Sequence, residues 1–487
     1  MLWAIIAFAI FGLFAIWPKR PRTRAAGGRD VRKPLRGTWV VKEDQGRRLW
    51  SEELAPRGLD PSGLVPFGNG FLLPAAECQH TKIVGTSGSG KSTAIKHLLA
   101  TVERRPHQRA VIVDPDGGYT RLFYRAERGD VILNPFDSRA AGWDLTADVG
   151  EDYEARHLAS ALVPDGAGDS GEWKTYAQVL LSAAILALRS AGQLTPASLY
   201  RAVMLADDEE LGALVDGSPA ARYFAESNER MLASIRSVTA TSLAGLSHIA
   251  SGDFSLKKYA RGDDRGWVFC SYKADQIAEL RGIISAWARL VIFALMSRPE
   301  GDSGTWLIVD ELDSLGKISG LTDALPRLRK FGGRCVLAWQ SIGPLLELYG
   351  RGFAGAVVEN AANTLILRCS DSGSGGGTAQ FASSLIGQRE VMRTTSSTSE
   401  TQGSSLQHGL RIAPGTNRSK VSGTNTAPTV EPAVLPAQIE GLENLRGYVH
   451  SHGLPFWSRC TLPLFEREPI AEAFTPRAAD AAQEDQT

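Results

Sequence analysis

Gly85, Gly90, Lys91 and Ser92 stand in the order G-x-x-x-x-G-K-[ST] within TKIVGTSGSGKST, which runs from Thr81 to Thr93. Residues of these types at this spacing bind phosphate. The glycines let successive backbone N–H groups turn inward on phosphate oxygens, and a helix starting at the end of the loop adds its positive pole. The expected nucleotide contacts are Gly85, Thr86, Ser87, Gly88, Ser89, Gly90, Lys91, Ser92 and Thr93. Lys91 can reach the β- and γ-phosphates, and the Ser92 hydroxyl suits a magnesium ion, so ATP and Mg²⁺ are the expected cofactors. A ligand-free glycine turn is the rival reading. The apolar strand before the loop and the helical pattern after it favour the nucleotide. Many unrelated machines share such a loop, so it does not say what the energy drives.

TWLIVDELDSLGKI adds carboxylates. At the end of an apolar strand, Asp310 is placed to hold Mg²⁺ and Glu311 to polarise an attacking water. A protein that holds nucleotide passively has no need of the second acid, so Glu311 points to hydrolysis. The bland alternative is an acidic pair capping a helix. Gln340 closes the next apolar run, CVLAWQ, where parallel sheets gather their chemistry, and its amide can contact a γ-phosphate. Arg327, Arg329, Lys330 and Arg334 precede that run. One of them could serve the phosphates of a neighbouring subunit, or all could cover an exposed helix end.

These side chains need a sheet to hold them. Short apolar runs recur at 110–114, 130–134, 267–272, 305–310, 335–340 and 364–369, several separated by helical patterns. This predicts an α/β fold with a mostly parallel sheet and helices on both faces. No strand-like run falls between 151 and 252, which reads as an inserted all-α domain with its own core. The expected nucleotide-binding parts are therefore 37–150 and 253–465. Within the first, 36–80 reads as irregular and β-like. The Ser/Thr/Gly-rich stretch 392–428 reads as a flexible excursion or long loop, and 466–487 as an acidic, solvated tail.

Residues 2–17, LWAIIAFAIFGLFAIW, carry no charge and precede PKRPRTR. Helix of that length spans about 25 Å, at the short end for a membrane span. Trp3 and Trp17 suit the interfaces, and Lys19, Arg20, Arg22 and Arg24 belong on the cytoplasmic side. The expectation is a single transmembrane anchor at 1–18, a basic linker at 19–36 and a cytoplasmic body. A signal peptide would carry its positive charge before the apolar run; a buried core helix is the other rival. The 53 basic and 53 acidic residues balance, so a nucleic-acid partner would have to be met by local patches. The five cysteines form no C-x-x-C pair, which argues against a disulfide framework or a zinc site.

Taken together, ECQHTKIVGTSGSGKST, IVDPDGGY, VILNPFDSRAAGWDL with Trp143, LIVDELDSLGKI, RKFGGRCVLAWQS and VEPAVLPAQIEGLENLRGYV resemble the TraD/TraG-type coupling proteins of type IV secretion, in particular their TrwB-like group. The order and spacing hold from about Arg36 to Leu464. The resemblance implies a RecA-like P-loop ATPase of the FtsK/HerA superfamily in the bacterial inner membrane. It implies a homo-hexamer, stimulated by single-stranded DNA, that links relaxase and relaxosome proteins to the components of a secretion channel in conjugation. On this reading Lys91 and Ser92 bind phosphate and Mg²⁺, Asp310 holds the metal, Glu311 is the base and Gln340 the sensor. Arg329 is the trans-acting finger, with Arg327 and Arg334 close by. The chain departs from the family in showing one short apolar segment where two membrane helices are usual, and in lacking a long basic stripe. The alternatives are an ATPase recruiting protein effectors, a non-hydrolysing nucleotide-gated receptor and a chromosome-segregation translocase; the last is disfavoured because no DNA-reading tail follows the motor.

Overall fold

The computed structural model describes residues 34, 36–165, 169–262, 264–301, 303–370, 377–404 and 416–477. The expected anchor at 1–18 lies outside these residues. No helix among the described residues is long and apolar enough to cross a membrane. The chain forms two compact units, one of Gly37–Arg389 with Val430–Thr487 and one of Met1–Arg36 with Glu390–Thr429.

The larger unit is built on ten strands: β1 (Val40–Val41), β2 (Thr81–Val84), β3 (Arg109–Pro115), β4 (Val131–Ile132), β5 (Val268–Tyr272), β6 (Thr305–Val309), β7 (Arg334–Trp339), β8 (Asn363–Ile366), β9 (Arg446–His450) and β10 (Trp457–Thr461). Their order across the sheet is β1-β10-β9-β8-β2-β7-β6-β3-β5-β4. From β8 to β4 every pairing is parallel, while β9 runs antiparallel to both β8 and β10. Successive strand side chains alternate between two cores, as the period of 2 requires. Val111, Val113, Leu307, Val309 and Leu337 join the core shared with the helical segment and the helix Ile277–Leu295. Ala110, Ile112, Trp306, Ile308 and Val336 join the core under the helix Lys91–Glu103. A buried parallel sheet explains why these strands read as continuous apolar runs.

Between β4 and β5 the described residues hold helices and no named strand, among them Asp152–Leu162, Asp169–Ser190 and Glu229–Leu243. The chain enters and leaves this segment through one narrow gate. Trp143 N donates to Ala250 O at 2.8 Å and Asp144 N to Phe254 O at 2.8 Å. A Cβ on Gly142 would lie 2.4 Å from Ser251 O, so only glycine permits this approach. Trp143 is buried, donates to Asp148 at 2.6 Å and meets Trp287 edge-on at 6.0 Å. The tryptophan trailing the NPFD segment therefore pins the root of the helical segment to the helix Ile277–Leu295.

Three local expectations are revised. The 36–80 stretch contains a 12-residue helix, Glu43–Leu54, whose Gly46, Trp50 and Leu54 are buried. Its few apolar residues hid the pattern, since a small glycine supplies part of the buried face. The described residues of the 392–428 stretch lie in two strands of 17 residues each, Gln388–Ser404 and Thr416–Pro432. Threonine is β-branched, so a Ser/Thr-rich stretch that finds a partner strand can pair rather than remain coil. Of the tail, Glu466–Arg477 is docked: Arg467 pairs with Glu103 at 2.6 Å and Ile470 N donates to Arg121 O at 3.0 Å.

His80 links β2 to β7 from below. Its Nδ1 accepts from Cys335 N at 3.1 Å and its Nε2 faces Leu325 O at 2.8 Å, which fixes the neutral Nε2–H tautomer. Burial pushes its pKa from 6.5 to about 4. The unfolded chain thus takes up a proton near pH 6.5 that the fold refuses until about pH 4, so stability falls as pH drops through this window, by about 2 kcal/mol between pH 6.5 and 5. His80 has φ of 55°, which asparagine also tolerates. Urea titrations at pH 7.5 and 5.0 should show His80→Asn less stable than the native chain at pH 7.5 but with a flatter loss on acidification.

Candidate nucleotide site

β2 is buried along its length and delivers the loop Gly85–Gly90 to the carboxyl edge of the sheet. Gly88 and Gly90 take φ of 70° and 118°, a backbone that lets the loop curl back on itself. Two neighbours hold it. Thr86 N donates to Arg368 O beyond β8 at 2.8 Å, and Leu445 N donates to Ser89 O at 2.8 Å. Lys91 opens the following helix and folds back, its Nζ donating to Gly85 O at 2.8 Å and Thr86 O at 3.2 Å. Burial lowers its pKa, opposed by the charges of Asp310, Glu311 and Asp313. The ammonium group is thus poised between loop and carboxylates, where a phosphate would replace carbonyl oxygens as its partner.

The strand order brings the distant residues together. Ser92 Oγ donates to Asp310 Oδ2 at 2.7 Å across 218 positions of sequence. Asp310 is 5 % exposed, and among the described residues its Oδ1 meets no hydrogen-bond donor. A buried carboxylate oxygen left without a partner is costly unless a cation takes it. With the Ser92 hydroxyl alongside, this pair fits Mg²⁺. Next in sequence, Glu311 Oε1 accepts from Gln340 Nε2 at 2.8 Å. Burial raises the Glu311 pKa, while the Gln340 amide pulls it the other way. A half-buried carboxylate with a raised pKa, held through one oxygen by a glutamine amide, suits a general base.

Lys91, Ser92, Asp310, Glu311 and Gln340 therefore form one cluster. Arg329 does not enter it: exposed, it donates to Gln79 Oε1 at 2.7 Å, just ahead of β2, at the amino edge of the sheet. Arg327 is exposed as well. Arg334 is buried in an ion pair with Glu77 at 3.0 Å, which Arg105 also joins at 2.9 Å. Of the three arginines, Arg327 and Arg329 have side chains available to another subunit.

A profile of the type IV secretion-system coupling protein DNA-binding domain matches residues 68–460. The chain belongs to that family. It is 28 % identical over 427 residues to the coupling protein TraD of Escherichia coli K12, covering 85 % of this chain and 56 % of TraD. A conjugal transfer protein TraG of Escherichia coli is 26 % identical over 277 residues, with 50 % and 42 % covered. The chain thus spans about half the length of the curated relatives it matches. Among solved structures, the unbound conjugative coupling protein TrwBdeltaN70 superposes with a TM-score of 0.78 at 28 % identity, over 92 % of this chain and 98 % of that one. TrwB in complex with ADP and Mg²⁺ gives 0.77 at 28 %, over 93 % and 100 %.

This member of the family also places at the site three residues given no role by motif. Asp313 Oδ2 lies 3.4 Å from Gln340 N. Asp114, at the end of β3, is fully buried and accepts from Tyr119 N, Thr120 N and Thr120 Oγ1 at 3.0, 2.6 and 2.6 Å. Burial pushes its pKa up to about 6 against those hydrogen bonds. Tyr119 OH donates to Asp310 Oδ2 at 2.6 Å. The signal for Asp114 was present in AVIVD, a buried strand ending in a carboxylate; Tyr119 depends on a turn that the sequence does not display.

Alanine at Gly90 would hold φ of 118° with its Cβ 2.8 Å from Leu445 Cδ2, whereas at Gly88 nothing lies within 4 Å. Gly90→Ala should lower the urea midpoint of the nucleotide-free chain more than Gly88→Ala, by roughly 1–2 kcal/mol in stability. Equal losses would mean that the contact with Leu445 relaxes freely.

Proposed function

We propose that the chain is an ATP-hydrolysing motor that couples DNA transfer to a type IV secretion channel in conjugation. The observation that carries hydrolysis is the Glu311–Gln340 pair set beside Asp310 and Lys91. Family membership and the likeness to TraD and TrwB support the coupling role, and solved TrwB complexes with the ATP analogue ADPNP and with ADP and Mg²⁺ support those ligands.

In this reading the amides of the 85–93 loop and Lys91 hold the β- and γ-phosphates, and Ser92 with Asp310 holds the metal. Bound Mg²⁺ supplies positive charge against the charge developing on the phosphates. Glu311 takes a proton from the attacking water, and Gln340 both aligns Glu311 and contacts the γ-phosphate. Arg329 completes the site of an adjacent subunit in a homo-hexamer, a role supported by its exposure on the edge away from its own loop. The apolar stretch 1–18 anchors the chain singly in the bacterial inner membrane, with the body in the cytoplasm. Single-stranded DNA and relaxosome proteins are the partners on that side, channel components those in the membrane.

ATP turnover measured over a range of protein concentrations, with and without single-stranded DNA, tests this. The rate should rise with both, and Glu311→Gln should lower it by roughly 10²–10⁴-fold while nucleotide binding persists. Binding without turnover under every condition would favour the nucleotide-gated receptor. Turnover indifferent to DNA but raised by a secreted protein would favour effector recruitment. Because the Gln340 amide lowers the Glu311 pKa, Gln340→Leu should move the acid limb of the pH–rate profile to higher pH. An unmoved acid limb would remove Glu311 as the group that titrates.

A further inference from the structure

We infer that Tyr119 is a positioning residue for the metal-binding carboxylate, and that Asp114 fixes Tyr119 for this task. The inference rests on the Mg²⁺ assignment to Ser92 and Asp310. Tyr119 is 2 % exposed, and its hydroxyl shares Asp310 Oδ2 with the hydroxyl of Ser92. Two donors occupy one oxygen and leave the other, Oδ1, unpartnered. They set the plane of the carboxylate and decide which oxygen faces the metal.

The chemistry of the donors matters. Among the described residues no ion pair reaches Asp310, although the carboxylate is buried. A lysine or arginine there would cancel its charge and compete with the cation. Two neutral hydroxyls orient the carboxylate by hydrogen bonds while leaving its charge available to a metal. Ser92 can donate its proton to Asp310 and still offer a lone pair to Mg²⁺. Tyr119 has no such second duty, so it holds the carboxylate whether or not the metal is present.

Tyr119 is in turn held on two sides. From below, Asp114 binds the backbone of Tyr119 and Thr120 and the Thr120 hydroxyl. The turn that feeds it passes through Asp116 and Gly117 with φ of 55° and 66°, and Asp116 N donates to Tyr272 O at 2.7 Å. From above, the C-terminal segment closes on the turn: a Cβ on Gly117 would lie 2.3 Å from Ala473 O. A turn fixed this firmly delivers the hydroxyl to one point.

The test is ADP affinity by calorimetry, in EDTA and across a Mg²⁺ titration, for the unsubstituted chain, Tyr119→Phe and Asp114→Asn. Tyr119→Phe keeps the ring and removes one charge-assisted bond. Its metal-free ADP affinity should match the unsubstituted chain, which shows that the loop is intact, while the gain in affinity from Mg²⁺ should shrink about tenfold. Asp114→Asn should move the same quantity in the same direction. An unchanged Mg²⁺ gain in Tyr119→Phe, with metal-free affinity also unchanged, overturns the inference. If the unsubstituted chain shows no Mg²⁺ gain at all, the underlying metal assignment fails and the inference falls with it.

Discussion

The site depends on the register of three adjacent parallel strands. Val84 of β2 pairs with Trp339 of β7, so the residues that follow, Gly85 and Gln340, leave the sheet at the same level. Val309 of β6 pairs with Leu337 of β7, which sets Asp310 level with Ala338. The register thus brings Gly85 and Gln340 to one level of the sheet with Asp310 two residues below it, although Ser92 of the loop and Asp310 lie 218 positions apart in sequence. Side-chain direction reverses with every residue along a strand, so a slip of one residue would turn Asp310 to the other face and bring Glu311 into its place. The tightly packed apolar faces of β2, β6 and β7 prevent that slip. Core packing here is therefore a condition of the chemistry as well as of stability.

Charge is distributed unequally between the two edges of the sheet. At the carboxyl edge, Asp310, Glu311 and Asp313 face a single buried lysine, and burial works against the charged forms of both Glu311 and Lys91. Such a site is complementary to a ligand that carries both a cation for the carboxylates and an anion for Lys91. A magnesium nucleotide carries both at once, and the low dielectric around buried groups strengthens each of these pairings. At the amino edge the reverse holds. Glu77 is 2 % exposed and saturated by Arg105 and Arg334, so that cluster is closed and structural. The difference lies in carboxylates paired to arginines of the chain against carboxylates left to face a ligand, since both edges are rich in charged side chains.

What the sequence displays follows from this arrangement. The strands of the parallel sheet were legible because burial on both faces makes each a continuous apolar run, and the loop, Asp310, Glu311 and Gln340 were legible because each sits just after such a run. Residues whose role depends on a turn were not. Tyr119 reaches Asp310 only because Asp116 and Gly117 adopt positive φ, a choice that the letters DPDGGY permit but do not dictate. The helix Glu43–Leu54 was obscured because its buried face includes Gly46, where a Cβ would sit 1.9 Å from Ser458 Oγ. Its apolar stripe is therefore incomplete. Strand pairing of 388–404 with 416–432 was invisible for a related reason: hydrophobic alternation marks a strand with one buried face, and a Ser/Thr-rich ribbon has little to alternate.

If the chain is the motor proposed above, nucleotide chemistry must be connected to the helical segment, and the structure contains a continuous chain of contacts between the two. The loop that begins at Glu311 is tied down in three places. Ser314 Oγ lies 3.2 Å from Tyr272 OH, Leu315 O accepts from Ser285 Oγ at 3.0 Å, and Ile318 N donates to Tyr349 OH at 3.0 Å. Ser285 belongs to the helix Ile277–Leu295, whose Trp287 meets Trp143 at the root of the helical segment. Two residues of one rigid helix therefore touch the loop that begins at Glu311 and the root of the segment. A shift of that root moves Trp287, and a helix cannot move one of its residues without carrying another half a turn away. The loop that begins at Glu311 is thus joined to the root of the helical segment by two contacts on this one helix.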